Sequence, residues 1–441
     1  MRPPKDFKVA IVGGGVCGLT CAVALAREGV PVEVFEAAPQ FGEVGAGMGL
    51  GPNAIRVLRE IGVFDEVLSC SGEACLDKKS FLFRYGAGEH EVIYDYPVQP
   101  DDFVMSIHRA AFLNGLVCNV DPTCTKLNKR CIDLTTSSES PSRYILHFQD
   151  GTTSEADVVI GADGIKSTIR RVVAGDAAPA HLSFSNVVAY RGLVPMEEIE
   201  NAGITTDITS RPLLFIGKDK VGITYGQTAW MILTKCQHLV AYTVLGGRML
   251  NLVACSRDRT IPIGTIKSSP DEPWATSVPE QQLLEEFSTF GEDAMRMLKC
   301  IRNPSKWLIH VVYPPLESYV RGRVALLGDA AHAMLPHLSA GAGQGVEDAF
   351  VLARLLGDPR TNTTNLEEVL CAYDLVRRPR VQKIWDGSLA AGNCYEGHGK
   401  HGFTTEGVRN DLTGQWDHVW HHDIVKDIQT AVEYLREIGT F

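Results

Sequence analysis

The sequence predicts an α/β fold in which a parallel, βαβ-wound unit shares the chain with a long antiparallel sheet. Three observations predict it. Val9-Ala10-Ile11-Val12 is an apolar run of the kind a strand buried on both faces shows; it ends in Gly13-Gly14-Gly15-Val16-Cys17-Gly18, and helical spacing from Leu19 to Glu28 leads to a second strand, Val32-Glu33-Val34-Phe35, closed by Glu36. Two further buried runs, Ala156 to Ile160 and Arg323 to Gly328, end at a small residue and a carboxylate, Asp163-Gly164 and Gly328-Asp329. Residues 181 to about 315 alternate as antiparallel strands do.

The N-terminal block has the layout of a dinucleotide site. In G-x-G-x-x-G, Gly13 lets the chain turn sharply, Gly15 lets the backbone approach a pyrophosphate, and Gly18 lets helix and strand pack closely. The helix start offers unpaired N–H groups to phosphate, and Glu36 can accept bonds from a ribose diol. Asp163 and Asp329 can bind ribose hydroxyls or order a turn that faces the pyrophosphate; each also suits a plain turn.

Composition narrows the class. The 441 residues exceed what one hydrophobic core usually serves, and 45% hydrophobic content can build a large interior. A formal net charge of −11 without a long Lys/Arg run argues against a nucleic-acid surface. No apolar stretch reaches the roughly 18 residues of a membrane span, and the start goes straight into a strand, without the apolar region of a signal peptide. A soluble, cytoplasmic protein is expected. The 12 cysteines include no Cys-x-x-Cys and read as reduced interior residues; no metal site is indicated, and His421-His422 reads as surface.

Along the chain, a helix is expected at Pro52 to Ile61 and strands at Ser80 to Tyr85, Val92 to Tyr96 and Tyr144 to Gln149. The antiparallel region carries candidate strands at Val187 to Val194, Leu213 to Ile216, Leu239 to Val244, Leu250 to Cys255 and Trp307 to Tyr313, with one helix near Pro279 to Cys300. A long helical region follows Asp329. No repeat or linker separates the two kinds of structure, so they are interleaved.

The order of blocks, G-x-G-x-x-G, then Ile160-Gly161-Ala162-Asp163-Gly164, then Gly328-Asp329-Ala330-Ala331-His332 continuing through Pro336-His337 to Gly341-Ala342-Gly343-Gln344-Gly345, resembles the group A flavoprotein aromatic hydroxylases, and within them the salicylate hydroxylase-like monooxygenases. The resemblance covers residues 7 to about 390. It implies a doubly wound, Rossmann-type FAD-binding domain with an inserted antiparallel substrate domain: FAD-binding parts at 1–75, 103–180 and 318–394, substrate strands at 76–102 and 181–317, and a C-terminal helical segment at 395–441.

It also implies roles. Glu36 holds the adenosine ribose, Asp329 the ribityl and pyrophosphate portion, and Arg109 the flavin linker; Ala46 and Gly47 lie along the cofactor, and Gly341, Ala342 and Gly343 aim N–H groups at the flavin ring, where donors stabilise negative charge. Pro336 sits beside the C4a edge or, more plainly, starts a helix. The implied chemistry is reduction of FAD by NAD(P)H, formation of a C4a-hydroperoxide with O2, and oxygen transfer to a phenol or aromatic acid, with or without decarboxylation. Lacking a second G-x-G-x-x-G, the sequence leaves NADH and NADPH undistinguished, as it leaves the oligomeric state. Arg191, in Tyr190-Arg191-Gly192, is the candidate cation for a phenolate or carboxylate, against a salt bridge within the sheet. Tyr242 is the candidate hydrogen-bonding partner, with Tyr225 as rival.

One stretch departs from the family. Val221 to Gln237 separates segments that the family joins almost directly, and its pattern suits neither a tight hairpin nor a polar loop. Valine codons begin with GT, glutamine can be CAG, and Leu233-Thr234 can be encoded by CTNAC, so an unspliced short intron translates to such a stretch; a genuine insertion is the other reading. Two alternatives to a hydroxylase stay open: a flavin oxidoreductase acting on a non-aromatic substrate, and a non-catalytic flavin-binding protein disabled by this segment.

Overall fold

The computed structural model describes residues 5–42, 47–72, 79–138, 140, 142–175, 181–217, 220–225, 230–266 and 273–441, with backbone alone at 220–225 and 230–234. Its central sheet has six strands in the order Val320–Arg321, Val324–Leu326, Val158–Gly161, Val9–Val12, Val32–Phe35 and Thr125–Lys126. The middle strands are parallel, with Val12 opposite Gly161 and Gly161 opposite Leu326, so the three motif-bearing turns emerge side by side at one carboxyl edge. Such an edge is where open α/β sheets bind ligands. Val9–Val12 and Val158–Gly161 are buried throughout, as their unbroken apolar sequences require.

The turn geometry explains its glycines. Gly13 has φ +108°, and a Cβ there would lie 2.3 Å from the Ala162 carbonyl oxygen; a Cβ on Gly18 would lie 2.0 Å from the Gly13 oxygen. Helix Val16–Arg27 can therefore press directly onto the strand turn, and helix Gly341–Leu356 covers it from outside.

The antiparallel sheet runs Ala275–Ser277, Ser305–Val312, Leu182–Pro195, Met249–Asp258, Trp230–Val244, Leu213–Ile216, Leu82–Tyr85, Val92–Asp95. Leu82–Tyr85 joins Leu213–Ile216 in parallel, so the early strands enter the same sheet as the later ones. The 30-residue helix Leu366–Tyr395 packs its start into the core of the central sheet and its end, Ile384 and Tyr395, with Phe83 and Ile216 of the antiparallel sheet, and after it Trp416 and Trp420 pack on Phe81 and Tyr96.

Three expectations need correction. The single helix near 279–300 is two, Glu280–Glu286 and Glu292–Lys299, because Gly291 must approach the Gly88 carbonyl so closely that a Cβ would lie 2.1 Å from it. The region after Asp329 is a short helix, Asp329–His332, and then a loop before Gly341–Leu356, so Pro336 lies in a turn and starts no helix. Third, the described parts of the Val221 to Gln237 segment pair as antiparallel strands. Lys220–Tyr225 pairs antiparallel with the first part of Trp230–Val244, setting Val221 opposite Thr234, Ile223 opposite Ile232 and Tyr225 opposite Trp230, cross-strand pairs of strongly β-forming residues.

Candidate active site

A cavity of about 550 Å³ opens at the carboxyl edge of the central sheet, and Gly13, Gly15, Glu36, Gly47, Arg109, Asp163, Asp329 and Ala342 line it. The Glu36 carboxylate accepts from the Gly14 N–H at 2.6 Å and the Ala38 N–H at 2.8 Å, which fixes it at the strand end facing the cavity. Asp163 accepts from the Ser167 hydroxyl and from the Thr168 and Ile169 N–H groups at 2.7 and 3.2 Å, so it orders the turn and the start of helix Ile169–Ala174. Burial pushes its carboxyl up against those bonds. Asp329 is exposed to the cavity and accepts no hydrogen bond among the described residues. Arg109 begins helix Arg109–Val117. Ala46 lies outside the described residues. Gly341 and Ala342, in the first turn of Gly341–Leu356, face the next cavity, whereas Gly343 faces a third, and a Cβ on it would lie 3.5 Å from Ala54.

The next cavity, about 250 Å³, shares Gly47, Met48, Arg191, Asp329 and Ala342 with the first. Its floor is one face of the antiparallel sheet. His238, Val240 and Tyr242 alternate along one strand and stand opposite Cys255, Val253 and Asn251; Arg191 pairs with Val253 from the other side. Period-two alternation turns all seven side chains toward the same space. Pro336 and His337 close it from the loop before Gly341.

Four side chains here, those of Arg191, His238, His337 and Asn251, carry buried polar atoms without protein partners, Asn251 through its Nδ2. Arg191 Nε is sealed from solvent without a hydrogen bond, and among the described residues no carboxylate pairs with this guanidinium, which sits 5.2 Å over the Trp307 ring. Burial pulls its pKa down, and Arg109 adds to that. His238 Nδ1 and both ring nitrogens of His337 are equally unpartnered, with the rings 5.1 Å apart and Tyr395 edge-on to both. Burial pushes His238 down to about 3, and burial together with His238 and Arg257 holds His337 well below the usual imidazole range, so both are neutral near pH 7. Tyr242 touches Gly47, where a Cβ would lie 2.7 Å from its hydroxyl; burial pushes this phenol up, while Arg191 and Asn251 pull it down. Tyr242 is thus a proton-bearing group at neutral pH.

Behind the cavities is a buried ionic network. Arg377 reaches Asp348 at 2.9 Å and Glu347 at 2.7 Å; Arg380 also holds Glu347, at 2.9 Å, and Asp348 accepts from the Gly328 N–H at 3.0 Å and contacts His332 at 2.6 Å. Burial alone would raise both carboxyls, but the Arg377 and Arg380 charges at Glu347, and His332 with Arg377 at Asp348, hold each near 2. The network ties the Gly328-Asp329 turn to helices Gly341–Leu356 and Leu366–Tyr395.

The model of an FAD binding domain matches residues 6–109 and 259–388. A salicylate hydroxylase of Pseudomonas putida is 37% identical over 96% of this chain and 94% of its own length. The chain belongs to the FAD-dependent aromatic hydroxylases. A 6-methylsalicylate 1-monooxygenase of Aspergillus terreus is 32% identical over 98% of the chain and 92% of its own. A solved salicylate hydroxylase substrate complex superposes with TM-score 0.82 at 30% identity, covering 97% of this chain and 98% of that one. This hydroxylase is therefore an FAD-dependent monooxygenase of aromatic substrates, and these relatives do not favour the non-aromatic or non-catalytic alternatives.

The residues present fit FAD. Gly13, Gly15, Glu36, Arg109 and Asp329 line one cavity at the carboxyl edge of the sheet, that cavity meets the next at Gly47, Met48 and Ala342, and the Arg191 charge, with no carboxylate paired to it among the described residues, suits a ring that becomes anionic on reduction. Of the predicted residues, the fold brings Arg191, Tyr242 and Pro336 to one cavity and leaves Tyr225 at the end of strand Lys220–Tyr225, its side chain outside the described residues. The sequence reading missed His238 and His337. The available signal was the alternation His238, Val240, Tyr242, which puts a histidine on the same sheet face as the chosen tyrosine. His421 is exposed and His422 half-buried, and they contact Asp102 and Asp427 at 2.9 and 2.8 Å. No described helix is long and apolar enough to cross a membrane.

Proposed function

We propose that the enzyme hydroxylates a single-ring aromatic hydroxy acid, taking electrons from NADH or NADPH and an oxygen atom from O2. The observation that carries this reading is the set of unpartnered polar groups in the 250 Å³ cavity: one guanidinium, two neutral imidazoles and the Asn251 amide among apolar walls. A buried polar group without a partner costs free energy, so the cavity favours a ligand that brings matching oxygens on an apolar ring. FAD, held by the Gly13 turn, Glu36, Arg109 and Asp329, supplies the redox and oxygen-transfer chemistry when bound.

The chain's own residues divide the remaining work. Arg191 holds the phenolate or carboxylate by charge. Tyr242, un-ionised, holds or passes a proton at the ring hydroxyl, and His238 and His337 can each accept one hydrogen bond and donate another. Pro336 limits water at the reacting face. In support, the relatives named as acting on salicylate and 6-methylsalicylate span nearly the whole chain. A panel of mono- and dihydroxybenzoates, scored by NADH and NADPH consumption, O2 uptake, CO2 release and product, tests the reading. Stimulation with coupled product is expected; absence of product with every acid, from FAD-loaded protein, would overturn it.

A further inference from the structure

Gly392 stands in the last turn of helix Leu366–Tyr395, yet it does not end the helix: Gly397 does that, with the φ of +76° that helix ends favour. Glycine weakens a helix relative to alanine, so a glycine held in helical conformation calls for a packing reason. The reason here is His337. A Cβ on Gly392 would lie 2.4 Å from Cδ2 and 2.6 Å from Nε2 of that imidazole, so this edge of the ring rests where any side chain would stand. The loop carrying His337 is tied down on both sides: the Ser388 hydroxyl, one turn before Gly392 on the same helix, donates to the Leu335 carbonyl at 2.6 Å, and the Trp416 indole N–H donates to the Leu338 carbonyl at 2.9 Å. His337 is 6% exposed, and the open space beside it is the substrate cavity.

We propose that Gly392 is a positioning residue for the substrate: by standing without a side chain it seats the His337 imidazole at the cavity wall, where a ring nitrogen meets an oxygen of the bound acid. The proposal rests on the single-ring acid reading above. Both ring nitrogens of His337 are buried without a protein partner, so a ligand oxygen that reaches one of them satisfies it. Gly392→Ala would drive the ring from 2.4 Å out to the 3.4 Å of ordinary contact. That shift of about 1 Å exceeds the roughly 0.5 Å span of good hydrogen-bond distances, so the contact to the ligand would be lost.

The test measures Kd for 2-hydroxybenzoate, benzoate and phenol from the flavin absorbance change, on FAD-loaded parent, Gly392→Ala, His337→Ala and the double variant. Gly392→Ala should weaken 2-hydroxybenzoate about tenfold, the loss of one hydrogen bond, and His337→Ala by a similar factor. The double variant should bind no worse than His337→Ala, because the three atoms nearest the new methyl all belong to the imidazole. The Gly392→Ala loss should be several-fold smaller for at least one of benzoate and phenol, the ligand that lacks the oxygen His337 meets. No loss in Gly392→Ala or in His337→Ala, a further loss in the double variant, or an equal loss for all three ligands, as a merely distorted cavity would give, overturns the assignment. If Gly392→Ala alone does not fold, the double variant against His337→Ala still decides: equal binding supports the assignment and a further loss overturns it. A parent enzyme that binds these ligands but forms no product with any acid overturns only the function proposed above; one that binds none of them overturns both.

Discussion

Replacing Arg191 by Met separates catalysis from structure. An arginine that merely braces the sheet would pair with a carboxylate; this one has none among the described residues, a sealed and unpartnered Nε, and a ring contact to Trp307. Methionine keeps the length and removes the charge. Loss of the cation–π contact costs about 0.5–2 kcal/mol, but removing a buried, unpaired charge returns a comparable amount or more, so the melting temperature should stay level or rise. If Arg191 holds the substrate anion, losing a charge-assisted bond costs about 1.5–3 kcal/mol, a drop of roughly 10- to 150-fold in kcat/KM. The assay is coupled product formation on FAD-loaded protein, beside thermal unfolding. A variant with unchanged kcat/KM and a lower melting temperature would refute the assignment and return Arg191 to a structural role.

Gly13→Ala should yield protein without bound FAD, because its Cβ would meet the Ala162 carbonyl at 2.3 Å in a backbone region at φ +108°; flavin absorbance of the purified variant measures this. Arg377→Met leaves Glu347 and Asp348 short of a buried partner and should cost about 3–5 kcal/mol in denaturant unfolding, with Arg377→Lys intermediate. His238 binds a proton in the unfolded chain near its ordinary 6.5 but in the folded one only near 3, so stability is complete above pH 6.5 and falls as pH drops toward 3. At pH 5.5 that loss is about 1.4 kcal/mol, and urea unfolding of His238→Gln at pH 7.5 and 5.5 should show a correspondingly smaller decrease. Deleting Val221 to Gln237 keeps the Ile216–His238 pair and leaves Gly217 to Lys220 as a four-residue connection, a common hairpin length. Folded protein with raised flavin content, and a spliced transcript lacking the segment, are expected if it is a retained intron; a misfolded deletion with the segment present in the predominant cDNA marks a true insertion.

The sequence by itself determined the cofactor site's backbone. Gly13, Gly18 and the strand-ending carboxylates are readable because a positive φ, a contact too close for a Cβ, and an acid at a strand end are local demands written in consecutive residues. It likewise placed Arg191 and Tyr242 on strands. What it did not determine is which strands pair, and everything at the substrate end depends on that: the register that sets His238 opposite Cys255 also aims it at His337 from a distant loop, and the Arg377 network joins helices whose sequences carry only ordinary charges. The break at Gly291 and the strand pairing after Lys220 have the same origin. Hydrophobic alternation tells which face of a strand is buried, but the partner across a sheet is chosen by total burial and hydrogen bonding over the whole chain, a quantity that exists only once the tertiary structure has formed.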